Sequence, residues 1–314
     1  MDFSRQFGIV GQRVLTTLHG VFASVKIIRP PENWTVRDAS FGSTNINTLA
    51  FGDTSGLYLA AGDSAKLAVS LDTISWVPKT SGFGSSSIYG SAHGAGVFVI
   101  AGAAGKLATS TDGNTYTLRS SSFGTTAILD VQYGNSIFVA VGANGKLATS
   151  TNGTTWTQRT SSFGSTFIYA VSYSGGQWIA VGDEGKLATS TDGVAWTQRV
   201  SGFGLTRIRG VAHSSSIGAV AVGDDGKLAS SADGITWTQR TSSFGLTNIT
   251  AVAAGNDSYV AVGFNGKLAV STNNGVDWAL VNVGVGANWL ACASFGPGAF
   301  VAAGAAGQLS SSLL

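Results

Sequence analysis

The chain has 314 residues, of which 44% are hydrophobic and only 11% charged, so it can bury a large core and is not a disordered polyelectrolyte. Eighteen basic against sixteen acidic side chains leave a formal charge of +2, too small for a global field that would gather nucleic acid or an anionic membrane. One cysteine, Cys292, excludes an intrachain disulfide and a cysteine zinc site; three histidines, His19, His93 and His213, speak against a histidine metal cluster, and no cofactor is expected.

Residues 1–33 come first and match nothing that follows. Arg13 and His19 interrupt any secretory apolar run, and no stretch of eighteen apolar residues exists to cross a membrane. The expectation is a chain folded in a cytoplasm, without membrane insertion. This segment carries Ile9, Val10, Val14, Leu15, Val21, Val25, Ile27 and Ile28, with Asp2 and Glu32 as its only acids. It reads as an arm that docks on a partner, on another subunit or back on its own domain.

From residue 34 onward the sequence repeats. A Gly-Lys-Leu-Ala unit places its lysine at Lys66, Lys106, Lys146, Lys186, Lys227 and Lys267, with Gln308 in the seventh copy, at spacings of 40 or 41. Phe-Gly pairs at Phe41, Phe83, Phe123, Phe163, Phe203 and Phe244 open successive units. Within the third copy, 128–133, 137–141, 146–150 and 156–160 read as four short strands, the second apolar throughout as a strand stacked between two sheets must be. Asn144-Gly145 supplies the pair of positive-φ residues of a two-residue hairpin. Four strands per 40 residues is the β-propeller period, and seven copies predict an all-β, seven-bladed ring over 34–314.

The ends of the chain predict how the ring closes. The last copy stops at Leu314 without the Trp-Thr-x-Arg strand of the others, and that strand stands instead at Trp34-Thr35-Val36-Arg37. The N-terminal strand should therefore complete blade 7 and leave no open edge there.

The turns before the tryptophans read Ser110-Thr111-Asp112-Gly113, Ser150-Thr151-Asn152-Gly153, Ser190-Thr191-Asp192-Gly193 and Ser231-Ala232-Asp233-Gly234, while Ser271 to Trp278 is one residue longer. They resemble the Asp-box, or BNR, repeat of sialidase-like propellers. That resemblance implies a structural turn on the face away from any catalytic site. It does not bring a sialidase with it: the chain has two glutamates, Glu32 and Glu184, and lacks the Phe-Arg-Ile-Pro signature. Near-identical Ser/Thr/Gly-rich units behind a short non-repeat segment also resemble propellers of tailed-bacteriophage virion proteins. This implies a non-enzymatic structural or receptor-binding role in a virion assembled in the host cytoplasm, with residues 1–33 attaching to other virion proteins. A soluble, cytoplasmic glycan-binding lectin is the alternative, and a glycosidase a weaker one.

Positions that vary among matching copies are free to carry a site. The residue before each first strand is Asn45, Ser87, Ala127, Phe167, Arg207, Asn248 and Trp289, and the hairpin tips between second and third strands are expected on the same face. Blades 4 to 7 thereby gather Phe167, Asp183, Glu184, Arg207, Asp224, Asp225, Asn248, Phe264, Asn265 and Trp289 as a candidate crescent for a partner or a cell-surface glycan. The six repeat lysines form a ring near this face, read either as a phosphate or sulfate grip or as edge protection. A second ring, Phe51, His93, Tyr133, Tyr173, His213 and Phe295, interrupted by Ala254, is expected to pack between blades rather than to catalyse.

Overall fold

The computed structural model describes residues 32–313; the N-terminal arm read over residues 1–33 lies outside the described residues except for Glu32 and Asn33, which belong to the first strand. Seven four-stranded antiparallel sheets make a β-propeller, and no helix among the described residues is long and apolar enough to cross a membrane. In blade 3 the strands are Ile128–Gly134, Ile137–Gly142, Leu147–Ser150 and Thr157–Arg159, paired in that order from the centre outward. The second strand is the core: from Phe138 to Gly142 every residue is buried.

Closure follows the expected route. Glu32–Asp38 pairs antiparallel with Gln308–Leu313, with Thr35 opposite Ser311, Val36 opposite Ser310 and Arg37 opposite Leu309. It supplies the outer strand of a sheet whose other three strands come from the C-terminus.

Each Phe-Gly loop is a wedge with a staple. Phe83 is fully buried among Leu59, Ala61 and Leu67 of blade 1 and Ile88, Phe98 and Ile100 of blade 2, so its ring glues two blades. Its backbone carbonyl accepts the Lys106 ammonium at 2.8 Å. The same bond runs from Lys66 to Phe41, Lys146 to Phe123, Lys186 to Phe163, Lys227 to Phe203 and Lys267 to Phe244. The repeat lysines are thus fasteners of the incoming loop rather than a row of open cations, a role that neither sequence reading anticipated.

The turn before each tryptophan is built from its own side chains. Asn152 Oδ1 accepts the N–H groups of Thr154 and Thr155, Ser150 Oγ accepts that of Gly153, and the Trp156 indole donates to the Gly153 carbonyl at 2.9 Å. Trp156 then packs with Phe123, Phe138 and Val99, spanning blades 2 and 3. On the opposite rim, Asn144 and Gly145 take φ of 56° and 64°, and Lys146 N–H closes on Ala143 O, the primed turn expected from Asn-Gly. A Cβ on Gly145 would lie 1.9 Å from the Gly164 carbonyl of the next loop, so glycine is required there twice over.

Candidate functional site

The turn face is organised by one repeated hydrogen bond. The first residue of each hairpin turn donates its N–H to the carbonyl of the residue preceding the first strand: Asp183 to Phe167, Asp224 to Arg207, Phe264 to Asn248, Ala305 to Trp289. The two variable positions of each blade are therefore adjacent.

Phe167, Asp183, Glu184, Arg207, Asp224 and Asp225 line one groove between blades 4 and 5, together with Thr166 and Leu205. Asn248 closes its far end, its Oδ1 accepting the Asp225 N–H at 3.0 Å. Phe264 and Trp289 form a separate ring contact, centroids 6.1 Å apart, over blades 6 and 7, with Asn265 exposed beside Phe264 in the same turn. The crescent is thus two subsites.

All of its charged side chains but Asp225 are paired locally. Arg207 Nε donates to Asp183 Oδ1 at 2.7 Å, Tyr169 donates its hydroxyl to Asp183 Oδ2, and the Arg207 guanidinium lies 4.9 Å above the Tyr169 ring. Arg209 pairs with Asp224, and Lys186 with Glu184 at 3.0 Å. Burial raises the Tyr169 hydroxyl, and the neighbouring Asp183 carboxylate adds to this. Beside exposed Asp225 and Asn265, this face leaves an apolar surface open.

Two residues of that apolar surface escaped the sequence reading. Leu205 and Leu246 are each 86% exposed, at the same loop position of blades 5 and 6, where other blades carry Ser43, Ser85, Thr125 and Ser165. With Phe167 at 37% and Phe264 at 39% they put large apolar side chains on blades 4 to 6, and half-buried Trp289 continues the row into blade 7. The signal was available: leucine replacing a Ser or Thr that the other copies keep.

The axis of the ring is a channel of about 460 Å³ lined by the innermost strands. Among its lining residues is Asp130, whose carboxyl is pushed up to about 7 by desolvation, against the lowering effect of N–H bonds from Val171 and Val131. At the far end the second aromatic ring packs between blades as expected, the Tyr133 and Tyr173 rings lying where a Cβ on Gly94 or Gly134 of the preceding blade would fall. His93 lies 4.5 Å from the Phe98 ring, Tyr133 4.7 Å from Phe138 and Tyr173 4.8 Å from Trp178. Burial lowers the basicity of both His93 and His213.

No protein-family profile matches the chain, and no curated protein matches it. Solved structures do. YCF48 bound to D1 peptide aligns with a TM-score of 0.73 at 16% identity, over 93% of this chain and 100% of that one. A catalytically inactive virginiamycin B lyase from Staphylococcus aureus with quinupristin gives 0.79 at 10%, over 90% and 99%. The β-propeller domain of Cps50 (Swd1) from Myceliophteria thermophila gives 0.66 at 12%, over 87% and 97%. A lyase and non-enzymatic propellers stand side by side in this set, so at these identities the likeness establishes the β-propeller fold and nothing finer.

Proposed function

We propose that this chain is a non-enzymatic binding propeller that docks a protein partner on the turn face of blades 4 to 7. The observation that carries the reading is the run of exposed Phe167, Leu205, Leu246 and Phe264 on that sector, against Ser, Thr and Ala at matching positions of blades 2 and 3. Exposed apolar side chains concentrated on one sector mark interaction surfaces, and aromatic anchors carry most of their energy. The carboxylates of the groove support binding over catalysis, since Asp183, Glu184 and Asp224 each already hold a cation. A propeller of the same fold, YCF48, has been solved with a peptide, D1.

A glycan is the second reading, favoured by the Phe264–Trp289 pair beside exposed Asn265 and half-buried Asn248. The virion context rests on the resemblance of the Ser-x-Asp-Gly turns and on the arm-like composition of residues 1–33. Tail or capsid genes flanking this one would support it, and their absence would remove it.

The test is binding. Wild-type protein and a Phe167→Ala/Leu205→Ala/Leu246→Ala variant would be screened against displayed peptides and a glycan array. Peptide ligands lost in the variant support the reading; ligands retained by it, or glycans alone, overturn it.

A further inference from the structure

The innermost strand of each blade has a sheet neighbour on one side only, so alternate backbone N–H and C=O groups along it point into the channel without a ladder partner. Asp130 identifies which ones. Its Oδ1 accepts the N–H of Val131 at 2.8 Å, and its Oδ2 accepts that of Val171, in the next blade, at 2.9 Å. Val131 and Val171 hold the same place in their strands, opposite Ala140 and Ala180. That place is Val211, opposite Ala221, in blade 5 and Val252, opposite Ala261, in blade 6. The chain therefore contains its own example of what this backbone holds: a carboxyl group whose two oxygens bridge adjacent blades.

Blades 5 and 6 lack the internal carboxylate. The equivalent of Asp130 is Gly210 in blade 5 and Ala251 in blade 6, neither of which can accept a hydrogen bond through its side chain. Val211 and Val252 each keep 8% exposure, whereas Val131 and Val171, covered by Asp130, keep 0% and 2%. The junction of blades 1 and 2 is instead tied by side chains, Thr48 meeting Ser91 at 2.8 Å and Asn47 donating to the Ile88 carbonyl. Beside the open pair stands Arg209, also lining the channel. Asp224 holds it through Nε, and its terminal amino groups make no hydrogen bond among the described residues.

We propose that the channel wall at blades 5 and 6 is a carboxylate-binding site, in which the N–H groups of Val211 and Val252 and the terminal amino groups of Arg209 hold the ligand's two oxygens. Backbone donors and a guanidinium aimed at one anion are the strong class of hydrogen bond. Asp224 is held by Arg209 Nε, so that pair offers the ligand N–H donors at no net charge, and Asp130 sits two blades away on its own N–H pair. A channel of about 460 Å³ admits a small carboxylic acid or the C-terminus of a peptide. The site is separate from the apolar row of the turn face and stands whether or not that row docks a protein.

The experiment is an amide-resolved NMR titration of the full chain with acetate, ionic strength being held by chloride. Saturable shifts at Val211 and Val252, with Val131 and Val171 unmoved, are expected. Arg209→Gln should raise the half-saturating acetate concentration roughly tenfold. Gly210→Asp would place a carboxylate where Asp130 has one and should abolish the response; its Cβ would come 3.1 Å from Ala251 Cα, so Arg209→Gln serves as the decisive variant if it fails to fold. A short peptide that binds with a free C-terminus and not as its amide identifies a peptide ligand; a response to acetate alone identifies a small acid. No saturable shift at Val211 and Val252, or an unchanged midpoint in Arg209→Gln, overturns the site.

Discussion

Arg37 and Ser311 stand 274 positions apart in the sequence and are joined by a hydrogen bond of 3.3 Å from Nε to Oγ. The contact repeats one made inside single blades, where Arg119 reaches Thr109, Arg159 reaches Thr149 and Arg199 reaches Thr189 across adjacent strands. The first described strand therefore behaves toward the last as any outer strand behaves toward its neighbour. Deleting residues 1–40 removes that strand and bares the Gln308–Leu313 edge. We expect aggregation or a fall in Tm on the order of 10 °C or more in a thermal melt, as loss of several kcal/mol implies for a chain of this size. Deleting 1–30 should leave the melt unchanged, and equal melting of the two truncations would contradict closure by this strand.

Aromatic side chains with different places in the repeat should separate stability from binding. Trp156 is buried between blades 2 and 3, so Trp156→Ala should cost about 3 to 5 kcal/mol in chemical denaturation. Phe167 is over a third exposed, and Phe167→Ala should change stability by less than about 1 kcal/mol while weakening a turn-face ligand by about 1 to 2 kcal/mol. Trp289 is half-buried against Phe264, and its truncation should show both effects in part. If Phe167→Ala unfolds as readily as Trp156→Ala, the crescent is core.

The seven hairpin turns share one backbone and differ in how well their residues suit it. Ala104 takes φ of 54°, the same left-handed region that Asn144 occupies at 56°. Asparagine tolerates that region and alanine does not, at a difference of about 1 kcal/mol. Ala104→Asn should therefore raise stability by about 0.5 to 1 kcal/mol and Asn144→Ala lower it by a similar amount, read from denaturant midpoints at unchanged slope. Changes of the same sign in both would show that side-chain contacts, not backbone strain, control these turns.

The ring, the blade count and the closing strand were legible because they are encoded in period: a lysine every 40 or 41 residues, and a Trp-Thr-x-Arg strand missing from one end and present at the other. The adjacency of Phe167 with Asp183 and of Arg207 with Asp224 was legible from the same period, since a bond repeated in every blade fixes both positions. What stayed hidden depends on the distance between blades. Nothing in the spacing of Lys106 says that its ammonium ends on the carbonyl of Phe83, or that Asp130 spans to Val171. The exposed leucines lie two places before the residue that precedes each first strand, so variation at that one position does not reveal them.

Acid sensitivity should come from the turns that precede the tryptophans. Asp112 and Asp233 are lowered to about 2, first by the N–H of the residue three places on, Thr115 and Thr236, then by that two places on. Asp72 and Asp192 are lowered in the same way. In the unfolded chain each returns to the ordinary value of 3.8, so folding favours the ionised form; the stabilisation is present above that value and is lost as pH falls toward about 2. Asn152 and Asn273 accept equivalent bonds without titrating, which shows that the fold accommodates the amide. Replacing all four aspartates by asparagine should therefore flatten the decline of Tm in that window. Asp130 acts with the opposite sign. Its value is raised to about 7 by desolvation, so its contribution is present below the ordinary carboxylate range and is lost as pH rises through about 7. His93 and His213, lowered by burial, favour the neutral form and lose stability as pH falls through 6.5, against the trend of Asp130. The readout is accordingly the difference between Asp130→Asn and wild type across this range, which isolates the one carboxyl: the variant should melt relatively better as pH rises. A difference independent of pH would mean that Asp130 titrates alike in the folded and unfolded chain, so that the channel does not desolvate it.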